Sequence, residues 1–463
     1  LTEVQDITRP MTRSERRATF SLAGIYALRM LGLFMILPVL SLFAEQLPGS
    51  TPVLVGLAIS IYGLTQALLQ IPFGLLSDRF GRKKIIVGGL LLFSAGSVVA
   101  ALATDIYGVL LGRALQGSGA IAAAIMALVA DLTQEVHRTK AMALIGASIG
   151  LSFGAAIVIG PLIAGFAGVQ AIFWLTAGLA LLAILVVLFV VPKPLHNKLH
   201  RDAEVVTSEF SHVLKNCDLL RLDLGIFVLH LMLTAMFIIV PLQMRLAGLL
   251  PEWHWLVYLP VFVLSMLVMI PFIILAEKKR KMKAVFTGAI VTLILASLGL
   301  YWFNVNLYGL IGFLALFFCG FNLLEATLPS LISKTAPADL KGTAMGVYSS
   351  AQFLGAFCGG AVGGWVYGQF GPGEVFLFCA SAALIWLLFA LFMKTPRYLA
   401  NLLISLESIH EVEPFIEQLE HISGVEMVTP HFEDAVVYLK VDNQRLDKEG
   451  LQRILCSEKK DRE

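Results

Sequence analysis

Charge is what this chain has least of. Asp, Glu, Lys and Arg make up 14% of its 463 residues, against about 25% in an ordinary soluble domain. A soluble globule of this length is excluded, and a mean hydropathy of +0.83 makes the lipid bilayer the expected solvent. Cysteine is also scarce. Cys217, Cys319, Cys358, Cys379 and Cys456 show no C-x-x-C spacing, and three lie in apolar runs. That excludes a disulfide framework or zinc site and leaves small apolar packing residues. No nucleophile–base pair and no phosphate-binding loop is legible, so neither an enzyme nor a cofactor is expected. The net charge is +2, and its basic residues sit in short scattered loops, which excludes a nucleic-acid surface. A cleavable signal peptide is not expected either. The basic start through Arg17 leads into an apolar run too long for a signal core, with no small-residue cleavage site.

What is present is hydrophobic length. Spanning helices need about 20 mostly apolar residues. Such runs fall at 19–44, 53–77, 84–103, 106–130, 140–165, 171–192, 222–246, 254–276, 284–303, 307–333, 342–369 and 375–393. This predicts an all-α membrane protein of twelve spans. Lys and Arg collect in alternate connections: 1–18, 78–84, 131–140, 193–221, 277–283, 334–341 and, after the last run, Lys394 and Arg397. The intervening connections, from 45–53 to 370–374, have none. The positive-inside rule then places both termini in the cytoplasm.

The longest internal connection, 193–221, divides the runs six and six, with a short surface helix expected near 208–216. The halves repeat. Ile71-Pro72-Phe73 with Asp78-Arg79 matches Ile270-Pro271-Phe272 with Glu277-Lys278, and Ala141-Met142 matches Ala344-Met345. Two related bundles that bind substrate between them near the midplane are a recurring transporter plan. The expected domains are a bundle at 1–192, a cytoplasmic linker at 193–221, a second bundle at 222–395 and a soluble domain at 396–463. The last is polar and alternating: strands at 402–407, 425–429 and 435–441, and helices at 414–423 and 446–456. That βαββα order predicts a small α+β ferredoxin-like domain lacking its final strand.

The loop Gly74-Leu-Leu-Ser-Asp78-Arg79-Phe-Gly81-Arg82-Lys83-Lys84 carries the strongest signal. A glycine gives the second span a flat patch for close helix approach. An acid at the membrane edge suits a helix N-terminus. The positive-inside rule alone explains Lys83 and Lys84 but not Asp78 or the glycines. The segment resembles motif A of the major facilitator superfamily at every defined position, and the resemblance extends over residues 15–395. It implies that Asp78 meets the start of the eleventh span near Gly342 and Thr343. It also implies that Arg82 pairs with Asp131, making a charged latch between the halves.

Two further segments resemble family motifs. Arg113-Ala-Leu-Gln116-Gly117-Ser-Gly119 is similar to motif B, whose arginine is associated with proton coupling. From spacing alone, Arg113 lies roughly 10 Å into its span, where it either faces a cavity or snorkels to the interface. Gly146, Gly150, Gly154, Gly160, Pro161 and Gly165 resemble motif C, the antiporter pattern, with Ala164 at one glycine position. Small residues every fourth position also serve close packing alone, and Gly355, Gly359 and Gly363 repeat the pattern in the eleventh span.

Few ionisable residues lie well inside the remaining spans. Arg29, His230 and Glu325 stand out, with Asn322 one turn from Glu325. Carboxylates withdrawn from water gain and lose protons near neutral pH, which makes Glu325 the first candidate for proton or substrate charge. His230 either titrates or is a packed, hydrogen-bonded residue. The terminal domain resembles the heavy-metal-associated fold, but Ser408-Ile409-His410-Glu411 stands where its Cys-x-x-Cys belongs. No metal is expected there, and His410, His421 and His431 read as surface residues.

The stretch 113–124, the loop Ala276-Glu-Lys-Lys-Arg-Lys-Met-Lys283 and the appended domain together resemble the YajR-type bacterial transporters. That likeness implies a proton-driven exporter in the bacterial inner membrane, with an extra domain called YAM and no settled substrate; the expected function is a proton-coupled antiporter of a small organic molecule, acting as a monomer. A uniporter or symporter of the same fold, and a transporter-like sensor, stay open as alternatives.

Overall fold

A computed structural model describes residues 10–192, 210–337, 340–393, 400–406, 412–431, 436–442, 445–447, 449–451 and 453–454. Most of the expected linker lies outside these, as do Lys394, Arg397 and 408–411.

Helix starts follow their caps. Thr12 opens α1 (Arg13–Met35) with a capping box: its hydroxyl accepts from Glu15 N–H, and the Glu15 carboxylate accepts from Thr12 N–H. After a break at Ile36, Pro38 enters α2 (Leu37–Ala44), which completes the first span. Thr51 caps α3 (Pro52–Phe80), with Pro52 at its first position. Gly81, at φ 97°, is the sole residue between α3 and α4 (Arg82–Leu102), a turn that a side chain would strain. Asp105 caps α5 (Ile106–Ser118), and α6 (Ala122–Leu132) continues it after a break. Two long helices, α7 (Glu135–Ala167) and α8 (Val169–Phe189), finish the first bundle.

The short α9 (Phe210–Lys215) precedes the second bundle. That bundle holds α10 (Cys217–Leu246), α11 (Trp255–Lys278), α12 (Met282–Phe303), α13 (Leu307–Thr335), α14 (Lys341–Phe370) and α15 (Pro372–Leu391). Among the described residues eleven rods are both long and apolar enough to cross a membrane. The sequence predicts twelve. The difference is α14, which has 30 residues and a length of about 45 Å. Eight of those residues are glycine, so its hydropathy drops. The glycines serve packing: Cβ atoms at Gly355 and Gly359 would strike the α10 backbone at Phe227 and Leu231, and one at Gly360 would strike Ser60 of α3.

Two ends of the bundle are distinguished below. The near end holds the start of α1 and the end of α3; the far end holds the α1/α2–α3 and α14–α15 connections. The halves meet toward the far end. There Arg245 of α10 pairs with Glu45 beside α2 at 2.6 Å, a Cβ on Gly56 of α3 would strike Gly360 of α14, and one on Gly165 of α7 would meet Glu252. At mid-depth Phe153 of α7 packs against Phe262 of α11 and Phe318 of α13, with centroids 6.0 and 6.3 Å apart. Nearer the other end Gly146 and Gly150 face open space.

The C-terminal region forms a small α+β unit. Strands β1 (Ala400–Ser405), β2 (Val425–His431) and β3 (Val436–Val441) pair antiparallel in the order β1-β3-β2. The register sets Leu402 against Leu439 and Val428 against Leu439, with a bulge at Val425–Met427. Helix α16 (Val412–Glu420) buries Phe415 and Leu419 against Val437, Leu439 and Val441, the inward face of an alternating strand. Residues 449–451 and 453–454 are also helical. This unit touches the second bundle through charges. Arg280 donates to both carboxylate oxygens of Asp442, at 2.8 and 3.3 Å. Lys440 donates to Ala336 O at 2.7 Å and Lys334 O at 3.4 Å, where α13 ends.

Candidate transport site

The motif A residues form a charged knot at the near end, within the first bundle. Gly74 faces Ala123 of α6 at contact distance, so the second span lies close on the fourth. Arg82, at the first position of α4, is 3% exposed. Its Nε donates to Asp131 Oδ2 at 3.2 Å, and its Nη1 donates to Ser77 Oγ at 2.9 Å and to Asp78. Lys83 reaches the Val191 carbonyl at 2.5 Å, and Arg79 stacks on Phe80. Among the described residues Asp78 has no hydrogen bond to Gly342 or Thr343, and its side chain is 36% exposed. The described contacts of the knot tie α3, α4 and α6 together. Sequence reasoning missed a second tie beside it. Glu15 accepts from Gln134 N–H at 2.9 Å and lies 3.1 Å from His137 Nδ1. The Thr12-x-x-Glu15 spacing was its available signal.

Arg82→Ala strips Asp131, whose side chain is fully buried, of a charged partner. Removing one member of such a pair costs about 3–5 kcal/mol. A lower unfolding temperature in detergent is expected, with Arg82→Ala/Asp131→Ala less destabilised than the sum of the single variants. Additive losses would mean that Arg82 does not stabilise Asp131.

Deeper in the first bundle two arginines flank Tyr62 of α3. Arg29 of α1 is fully buried. It donates to Tyr62 Oη at 2.8 Å, Gln66 Oε1 at 2.7 Å and Gly119 O at 3.1 Å. That last acceptor exists because the fourth span breaks at Gly119, and a backbone carbonyl freed inside a membrane needs a donor. Arg113 of α5 is 1% exposed. It donates to Ala58 O, Ile59 O and Gln116 Oε1 at 2.8–3.2 Å and lies over the Tyr62 ring. The side chain is locked inward and does not snorkel. Gln116 passes the network to Ser97 at 2.7 Å. Gly117 packs directly on Tyr62 and Thr65, where any Cβ would clash.

The motif C residues divide by depth. A Cβ at Gly154 would strike Phe262 in the other half, and one at Gly160 would strike the Met35 backbone. Pro161 sits inside α7, while Gly150 contacts nothing.

The second bundle supplies the acids. Glu325 sits mid-span in α13 with its side chain 37% exposed. Gln352 of α14 donates to Glu325 Oε1 at 3.4 Å and lies 2.8 Å from His230 Nε2. His230 of α10 is itself 3.8 Å from Glu325 Oε2. One amide thus joins acid to imidazole. Asn322 points elsewhere, donating to Ser265 of α11 at 2.7 Å. Asp223 was missed: it falls next to the expected start of the seventh span and reads as an edge residue. The helix begins at Cys217 instead, and Asp223 is 6% exposed. In the terminal unit, His421 Nδ1 lies 2.7 Å from Glu417 O, and His410 is outside the described residues.

Deep in the first bundle two buried guanidiniums surround Tyr62, and in the second Gln352 joins Glu325 to His230. The sequence profile of the Major Facilitator Superfamily matches residues 22–357 and again 323–404. The chain is 48% identical over 435 residues to the inner membrane transport protein YajR of Escherichia coli strain K12, covering 94% of this chain and 96% of that one. It is 37% identical to the uncharacterized transporter BU466 of Buchnera aphidicola from Acyrthosiphon pisum, over 386 residues that make up 83% of this chain and 99% of the relative. A crystal structure of the human organic anion transporter MFSD10 superposes with a TM-score of 0.62 at 18% identity, covering 82% of this chain and all of the other.

Proposed function

The chain belongs to the Major Facilitator Superfamily, a family of secondary transporters and not of enzymes, and from that premise we propose that it is a proton-coupled antiporter exporting a small organic molecule. The observation that carries this reading is Glu325. It is a mid-span carboxylate joined to His230 through Gln352 and has no basic partner other than that histidine among the described residues. An ionised acid in that position is costly and is kept where it carries charge or protons. Proton binding then drives transport by favouring one of the two arrangements of the halves.

The proposed architecture is twelve spans, α14 included, in two six-helix bundles at 1–192 and 222–395, with a linker at 193–221. It lies in the bacterial inner membrane, as its relative's name suggests, with both termini at the cytoplasmic near end. The halves touch at the far end, which favours an inward-facing arrangement. The Asp78, Arg82 and Asp131 knot is preassembled to engage the start of α14 when the near end closes and to hold the outward-open state. The β1-β3-β2 order favours a ferredoxin-like domain at 396–463 lacking its last strand.

The test is substrate-triggered proton movement in proteoliposomes containing a pH-sensitive dye, scanned with lipophilic cations, organic anions and small metabolites. Proton flow opposite to the substrate supports antiport. Flow with the substrate would make the protein a symporter, and transport without proton movement would make it a uniporter.

A sensor role has one observation in its favour: Lys440 ties the terminal domain to the end of α13, the helix that carries Glu325. Transport should survive deletion of 398–463, since the Buchnera transporter is almost wholly matched by 386 residues. Loss of transport with normal folding would make the domain part of the machine.

A further inference from the structure

A charge deep in a membrane protein needs a partner, and a missing one needs a reason. Arg29 lies near the middle of the Arg13–Ala44 span and is fully buried. One nitrogen does all its hydrogen bonding: Nη2 donates to Tyr62 Oη, Gln66 Oε1 and Gly119 O. Nε and Nη1 are buried with no hydrogen-bond partner among the described residues. Tyr62 and Phe93 rings lie 6.0 and 5.5 Å from the guanidinium carbon. Aromatic faces attract the cation but do not use its in-plane N–H donors as a carboxylate would. Nor does the first bundle place an acid at this depth. Within 10–192 every Asp and Glu lies at a span end: Glu15, Asp78, Asp131 and Glu135 at the near end, Glu45 and Asp105 at the far end. Arg113 differs, since each of its nitrogens has an acceptor.

A second set of unspent donors lies beside Arg29. The fourth span breaks after Ser118 and restarts as α6 at Ala122 with no side-chain cap. That start is about 15 Å from the near end of α6 at 1.5 Å per residue. The first N–H groups of a helix have no acceptor within it, and with the helix dipole they attract negative charge. Gly119 O joins the two features. It accepts from Arg29 Nη2 at 3.1 Å and from Ile121 N–H at 3.0 Å, so the guanidinium rests on the turn that opens α6. Discontinuous spanning helices elsewhere point such N-termini at anionic groups.

Buried amides mark the side toward the near end. Gln66 Nε2 donates to Gln70 Oε1 at 3.3 Å, and both residues are buried. One turn further on α3, a Cβ at Gly74 would meet Ala123 of α6 at 3.2 Å. On the other side Tyr62 packs on Phe353 of α14 with centroids 6.2 Å apart. The cluster therefore borders the interface between the halves, and Phe353 follows Gln352, the residue that holds Glu325.

Resting on the exporter reading, we propose that Arg29 and the first turn of α6 bind the anionic group of the substrate, and that the exported molecule is a carboxylate-bearing organic anion. The carboxylate accepts from the unspent guanidinium donors and from the first amides of α6, and it neutralises a cation that no residue of its own bundle neutralises. It enters from the near end, past Gln70 and Gln66. A free chloride ion offers the same negative charge to the same donors, and the test separates the two sources.

The probe is thiocyanate, whose C≡N stretching band shifts when the ion exchanges water for N–H donors. It is read by infrared absorption on the full-length protein in nanodiscs of zwitterionic lipid, with sulfate as the only other anion. Wild type should show a bound band. Arg29→Gln should weaken binding by about 10–100-fold, the scale of lost hydrogen bonds to a charged group. Arg29→Lys keeps the cation and should retain a bound band at a shifted frequency. Should Arg29→Gln fail to fold, that shift decides alone. No bound band in wild type, or one with unchanged affinity and frequency in the folded variants, overturns the site. Displacement by acetate or benzoate at lower concentration than by chloride supports a substrate carboxylate. Displacement by chloride alone makes the site a counter-ion site and overturns the substrate assignment. In proteoliposomes, carboxylates should be the compounds that trigger proton movement. Proton movement triggered by cations alone overturns the anionic substrate and leaves coupling standing. A bound band with no proton movement from any compound supports the site and sinks the proton-coupled reading.

Discussion

Glu325→Gln should abolish proton movement triggered by substrate while leaving the protein folded and able to bind substrate. The substitution keeps the shape and the acceptor that Gln352 uses at 3.4 Å, and removes only the charge and the exchangeable proton. Removing a group that carries a proton in the rate-determining step typically slows it 10²–10⁴-fold, so coupled flux should fall by about 100-fold or more. Exchange of substrate down its own gradient should persist, because a neutral residue at 325 imitates the protonated carrier. Should coupled flux continue at the wild-type rate, Glu325 is a packing residue and the coupling acid lies elsewhere. His230→Gln is the companion variant. If the imidazole only orients Glu325 through Gln352, it should reduce the rate and leave the stoichiometry unchanged.

The second large effect is conformational. Gly56→Leu should hold the far end open. At Gly56 any Cβ meets the Gly360 carbonyl and lies 2.9 Å from the Gly364 Cα, both backbone atoms of α14 that cannot turn aside. Leucine is a better helix former than glycine, so α3 itself is not weakened and the effect isolates the α3–α14 contact. Overpacking costs about 1–3 kcal/mol, and one or two kcal/mol shifts a two-state ratio roughly 5–30-fold. Spin labels at positions 46 and 246, beside the Glu45–Arg245 pair, should report a longer and broader distance distribution. The arrangement with the far end closed should be depleted and transport lost. An unchanged distribution would mean that the close α3–α14 approach does not control closure.

Much of this molecule was readable before any coordinates, for identifiable reasons. Spans announce themselves because a bilayer requires apolar length whatever the fold. The exception is instructive: α14 reads as a span by position and length but fails on apolarity, because its glycines are spent on touching α3 and α10. Caps are equally local, as Thr12-x-x-Glu15 and Thr51-Pro52 show. In the terminal unit, alternation found all three strands to within about two residues, the usual uncertainty of boundaries. The expected twelve continuous rods hid two breaks. The break at Gly119 is consequential, since it frees the carbonyl that Arg29 takes up.

Depth along a helix follows from counting residues, so Arg29, Arg113, His230 and Glu325 could be singled out by number alone. Azimuth does not. Asn322 is one turn from Glu325 and invites pairing, yet its amide reaches Ser265 on another helix. Gln352 carries no formal charge and drew no notice, although it joins His230 to Glu325. Asp223 was hidden by a span boundary drawn a few residues late.

The sequence by itself determined that the chain crosses a membrane, that it is built twice over, and which few charged residues lie deep within it. Those facts depend on local hydropathy and spacing. Only the tertiary structure decided which of those residues share a neighbourhood: both arginines against Tyr62, Glu325 joined to His230 by Gln352, and Arg82 between Asp78 and Asp131. The physical reason is that a side chain's partner inside a bundle is set by how helices rotate and close upon one another. That rotation is fixed by glycine-to-backbone contacts between residues as far apart as Gly56 and Gly360.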